Sequence, residues 1–140
     1  MWVLGHLAIG FFSALVVSSY TGEKFFLPLV FFLSLLPDLD EFSGRVFVHR
    51  GPTHSIVLAF LLFLPFFLLF NSGYVYFAAL ASHSLLGDFF IPSKPLEKLF
   101  WPFSRKWFGA SNGLQLFGRN ETIFEVILFT CMLLFIFNGW

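Results

Sequence analysis

Residues 55–70 read SIVLAFLLFLPFFLLF, residues 71–73 NSG, and residues 74–91 YVYFAALASHSLLGDFFI. The first run, Ser55 to Phe70, carries no charge, and Pro65 within it is expected to kink a helix. Asn71-Ser72-Gly73 is a tight-turn signal, and Pro92 stops the second run, Tyr74 to Ile91. Two apolar runs of this length joined by so short a turn predict a helical hairpin. His83 and Asp88 lie inside the second run. Ionisable side chains at membrane depth are costly and are normally retained for a function.

Outward from this hairpin, three more apolar stretches appear. Val3 to Tyr20 is closed by Thr21-Gly22-Glu23-Lys24. Phe25 to Leu36 is short against the ~20 residues of a full span and ends at Pro37, so it either spans or turns back. Thr122 to Phe137 follows a long polar and aromatic segment. The expected fold is all-α, a single domain over residues 1–140, built as a polytopic membrane bundle of about five transmembrane helices. Composition agrees: 58% of residues are hydrophobic, 11% are charged and 24 are Phe, more apolar material than a soluble domain of this size buries. Zero formal net charge gives no field for a nucleic-acid partner. Cys131 is a lone thiol in an apolar run and reads as filler. The N-terminus lacks a basic leader and reads as a retained first helix.

Loop charges set an orientation. If all five stretches span, Arg45, Arg50, Lys94, Lys98, Arg105, Lys106 and Arg119 share a side with the N-terminus, and Lys24 stands alone opposite. The positive-inside bias makes the basic side cytoplasmic, in a multi-pass protein of the cell's inner (plasma) membrane. On that topology His6, Asp38, Asp40, His49, His54, His83 and Asp88 all fall on the basic side. They comprise every His and Asp of the chain.

Leu36-Pro37-Asp38-Leu39-Asp40 places two carboxylates two residues apart. Proline disfavours the helical region for its predecessor, so an extended segment would turn Asp38 and Asp40 the same way; an acidic helix-end loop is the plainer reading. In His49-Arg50-Gly51-Pro52-Thr53-His54-Ser55, Pro52 suits a first helical position, which puts His54 on the first turn. Imidazole is the commonest metal-binding side chain. Arg50 offers a forked donor to a phosphate, and Thr53 and Ser55 add hydroxyls that could bind substrate or simply cap the helix. His83 and Asp88, five apart, diverge on a regular α-helix, and a π-bulge at Gly87 would realign them; an interhelical hydrogen bond is the plainer role for His83. His6 shares a face with Gly10, Ala14 and Ser18, small residues that press it into the bundle. Glu125 forms a T-x-x-E capping pattern with Thr122, or serves as a further ligand or acid/base. Trp101, Phe103 and Trp107 among basic residues suit headgroup level, as a cover over the site or a plain anchor.

In the order GH (His6), LPDLD, HRGPTHS, SHSLLGD and WPF, the chain resembles the YdjM-like family, membrane-bound proteins described as metal-dependent hydrolases. That family is thought to be distantly similar to the zinc-dependent phospholipase C and single-strand nuclease superfamily. The resemblance spans nearly the whole chain. It implies an all-helical multinuclear zinc-type site cleaving phosphate esters, with His6, Asp38, Asp40, His49, His54, His83 and Asp88 as ligands. Glu125 matches a family glutamate at the start of the last helix. One departure stands out: the family commonly spaces the fourth-helix histidine and aspartate by four, against five here.

The expected activity is hydrolysis of a lipid or lipid-linked phosphoester by a metal-bound hydroxide, in the bilayer and without nucleic acid. Two or three Zn²⁺ ions fit so many ligands, with Mn²⁺ or Fe²⁺ as alternatives. Arg50 would clamp the phosphoryl group, and Asp40 or Glu125 would act as general base. The rivals are a metal or proton transporter, whose relay should cross the bilayer, and a non-catalytic metal-stabilised scaffold with a closed ligand sphere.

Overall fold

The computed structural model describes residues 3–43, 51–88, 98–106 and 121–139, without the side chains of residues 40–43, 88 and 121. The described residues form five α-helices: α1 (Val3–Thr21), α2 (Leu27–Leu35), α3 (Ile56–Phe70), α4 (Tyr74–Ser82) and α5 (Glu121–Phe137). No strand occurs among the described residues. Helix α1 is central and packs on α2, α4 and α5, while α3 rests chiefly on α4.

Local chemistry explains the ends. Ser55, in extended backbone, accepts from the Leu58 amide at 3.3 Å and so caps α3, as serine does for the third amide of a helix. Helix α3 runs through Pro65 and closes on Asn71 at φ 46°, a left-handed position that asparagine tolerates. Gly73 then takes φ 90°, which only glycine adopts without strain. Glu23, just past α1, accepts from the Gly73 amide at 2.6 Å and the Val75 amide at 3.2 Å. An anion there satisfies the unpaired amides at the start of α4 and complements the helix dipole. The same contact fixes α1 and α4 as antiparallel neighbours.

Two sequence expectations are corrected. Leu36 to Ser43 is a 3-10 helix and not an extended segment. Leu36 keeps right-handed helical angles (φ −54°, ψ −40°) despite the proline after it, because continuing the α2 spiral outweighs the local preference. Residues two apart in a 3-10 helix do not share a face, so the extended register in which positions 38 and 40 would face the same way does not form. Pro52 does not open α3 either. It starts a separate 3-10 turn, Pro52–His54, and α3 begins at Ile56 once Ser55 has turned outward to cap it.

Small residues fill part of the centre, with Ala14 and Ala79 beside Val30 and Val75, while Phe11 and Met132 pack on Ala8, and the buried polar set includes His6, Ser34, His54, His83 and Glu125. Large apolar side chains face outward, among them Phe60, Leu62 and Leu68 of α3 and Ile127 and Leu134 of α5. Small residues at helix contacts are what bilayer packing favours. Glycine at position 10 permits the close approach of α1 and α2: a Cβ there would stand 1.7 Å from Ser34 Oγ and 2.7 Å from Ser34 Cβ. Helix α1, 19 residues long, is long and apolar enough to cross a membrane; the other apolar helices are shorter.

Candidate metal centre

Four segments bring their chemistry to one end of the bundle. His6 comes from the first turn of α1, Asp38 from the 3-10 helix after α2, His54 from the turn before α3, and His83 from the end of α4. Asp38 is the hub. Its Oδ1 lies 3.3 Å from His83 Nε2 and 3.5 Å from His54 Nε2, and its Oδ2 lies 3.9 Å from His6 Nε2. The imidazoles are at most 1% exposed, whereas the Asp38 side chain keeps 29% exposure, so the group opens on the carboxylate's side.

Ring orientation is fixed from behind. His83 Nδ1 lies 2.6 Å from the Ser34 carbonyl. A carbonyl only accepts, so Nδ1 carries a hydrogen and Nε2 faces Asp38, donating to the carboxylate when the ring is protonated and offering its lone pair to a cation when it is neutral. Metal-ligating histidines are held in this way. His54 Nδ1 lies 3.2 Å from Thr53 Oγ1, the same device with a hydroxyl. His6 and His83 stack with centroids 3.8 Å apart and planes 11° from parallel.

Asp38 lies beyond the last residue of α2. Burial pushes its carboxyl up, but hydrogen bonds from His54 and His83, and the charges of His83 and His6 when protonated, outweigh it. The net direction is well below the usual carboxylate range, so Asp38 stays ionised. Ligand atoms of His6, Asp38 and His83 lie within 4.8 Å of one another, a group that could hold a metal ion. His54, whose Nε2 lies 3.5 Å from Asp38 Oδ1, stands beside that group.

Other predicted site residues fare differently. Glu125 is buried on α5, beside Val3, Leu4, Thr122 and Val126 around a cavity of about 270 Å³. Helix α5 starts at Glu121, so Thr122 lies inside the helix and not at its cap. Ser55 shares its one hydroxyl hydrogen between the carbonyls of Trp101 (2.5 Å) and Leu99 (3.1 Å) while capping α3; it ties residues 98–106 beside His54. The π-helical turn His83–Asp88 brings backbone positions 83 and 88 toward one side, as i→i+5 bonding does. The Asp40 and Asp88 side chains, and all of His49, Arg50 and Trp107, lie outside the described residues. Sequence reasoning missed Ser34, whose contribution is a main-chain oxygen, and Glu23, whose partners are 50 and 52 residues away.

A bundle with an apolar exterior and, at one end, a histidine–aspartate group that could hold a metal ion is a layout suited to a membrane protein. The family model described as YdjM inner membrane protein matches residues 1–139, and the chain belongs to that family. No curated protein and no solved structure matches the chain.

Proposed function

We propose that this protein is a multi-pass membrane metallohydrolase that cleaves a phosphate ester of a lipid or lipid-linked substrate at the cytoplasmic face. The observation that carries the reading is the convergence of His6, His54 and His83 on Asp38 from four chain segments. The outward apolar surface supports five membrane-embedded helices, with α2 too short at nine residues to cross alone. At ~1.5 Å per residue α2 reaches about 14 Å, less than half of a ~30 Å hydrocarbon core. A group at the end of so short a helix would lie within reach of a phosphate at the membrane face.

A divalent cation held there supplies Lewis acidity toward a phosphoryl oxygen. His6, His54, His83 and Asp38 hold it, and Ser34 and Thr53 keep two of the rings aimed. Asp40, His49 and Asp88 are the candidates to complete a second ion. Arg50 clamps the phosphoryl group, and Glu125 or Asp40 takes the proton from the attacking water. Exposed Phe100 and Phe103, beside Lys98, Arg105 and Lys106, suit a loop lying at headgroup level. At the opposite end Glu23 has both oxygens engaged in capping α4, which disfavours a transmembrane relay through its carboxylate. The partial exposure of Asp38 would leave a substrate oxygen room to join the four protein ligands as a fifth, which a closed structural site would not offer. The test is hydrolysis of phosphatidic acid, lipid pyrophosphates and phosphodiesters with added Zn²⁺ or Mn²⁺. Release of phosphate that His54→Ala abolishes supports the reading; no turnover on any of them removes it.

A further inference from the structure

A groove of about 850 Å³ runs along the outside of the bundle between α1 and α4, with Leu128 of α5 on its rim. Its walls are two helical stripes at three- and four-residue spacing. Ile9, Val16 and Tyr20 stand on α1; Tyr74, Ala78 and Leu86 stand on α4 and the π turn that continues it. We infer that this groove holds one acyl chain of the lipid whose phosphate is presented to the His/Asp group, an inference that rests on the hydrolase reading above.

Three observations favour an acyl chain. The lining offers an occupant almost no polar surface, and three of its hydroxyls are spent on the protein. Ser82 donates to the Ala79 carbonyl, Thr21 to the Val17 carbonyl and Tyr74 to Asn71 Oδ1. Length agrees as well. From Ile9 to Tyr20 at ~1.5 Å per residue is about 16 Å, the depth of one leaflet of a ~30 Å core. The inner end also meets the site: Ser82 and Leu85 of the groove flank His83 in sequence, and Ile9 lies one turn from His6. A lipid lying along α1 and α4 would therefore bring its headgroup to the end where Asp38 opens. The volume falls within the usual range of ligand pockets.

Photolabelling separates this inference from the chemistry of the site, since it reads binding without turnover. The probe is a phosphatidic acid with a diazirine midway along one chain, added to the purified protein in phosphatidylcholine nanodiscs. The expected result is label concentrated on α1 and α4, falling about tenfold in Val16→Trp and again in Ala78→Phe, which fill the groove from different helices. Asp38→Ala, which dismantles the metal group, should keep the label; its failure to hydrolyse lipid then bears on the function alone. Label spread equally over α3 and α5, indifferent to both filling variants, overturns the inference. So does a disulfide-linked dimer through Val16→Cys that excludes the probe, which would give the groove to a second copy.

Discussion

Ser34 and His83 are joined by a hydrogen bond of 2.6 Å that runs from imidazole Nδ1 to a main-chain carbonyl. Because the acceptor is backbone, the tautomer of His83 is set by where α2 lies and not by a replaceable side chain. Helix α2 is in turn held close to α1 only because position 10 has no side chain. Packing, ring orientation and ligand geometry thus form one mechanical series.

Gly10→Ala should therefore damage the site from a distance. The added methyl would overlap Ser34 Oγ and lie 2.7 Å from Ser34 Cβ, so α2 must shift, at about 1–3 kcal/mol of stability. Metal affinity should drop with it. The double variant Gly10→Ala/Ser34→Gly removes both clashing atoms and should recover much of the loss. Thermal unfolding together with a metal titration measures this, and no recovery in the double variant would refute the coupling.

Thr53→Val tests the second ring. Loss of a partner behind a ligating histidine commonly costs 10–100-fold in metal affinity, so a weakened but present site is expected. His54→Ala should be far worse. A competitive chelator titration ranks the two, and equal affinity in Thr53→Val and the unaltered protein would remove Thr53 from the site.

Glu23→Ala supplies the opposite case. It deletes two hydrogen bonds to the start of α4 and should lower stability by about 1–3 kcal/mol. Metal content should not change, because the contact lies at the far end of α1 and α4. A large metal loss in the folded variant would show that the two ends are not independent.

Orientation is open to chemical labelling. A cysteine at Arg105, in a Cys131→Ala background, should react with a membrane-impermeant maleimide only after the cytoplasmic face is exposed. Labelling of intact cells from outside would reverse the assignment made from loop charges.

How much of this was legible beforehand follows from what sequence can encode. His6, Asp38, His54 and His83 were legible because each is a rare ionisable residue among apolar neighbours. The small stripe through Gly10 and Ala14 announced a close helix contact, and the π turn at His83–Asp88 followed from a five-residue spacing with Gly87 inside it. Ser34 was not legible, since any residue offers a carbonyl and its role depends on a helix 49 residues away in sequence. The 3-10 course of Leu36–Ser43 escaped because the rule for a residue before proline is a local preference, and Leu36 obeys the helix it continues. Glu23 looked like a loop residue because its partners are amides, which leave no mark in the sequence.

Elemental analysis of the purified protein bears on the centre of the account most directly. After loading with Zn²⁺ and dialysis, the unaltered chain should retain at least one transition-metal ion per molecule, while Asp38→Ala and His54→Ala retain none. A metal-free unaltered protein, or variants that keep as much metal as it does, would contradict the account.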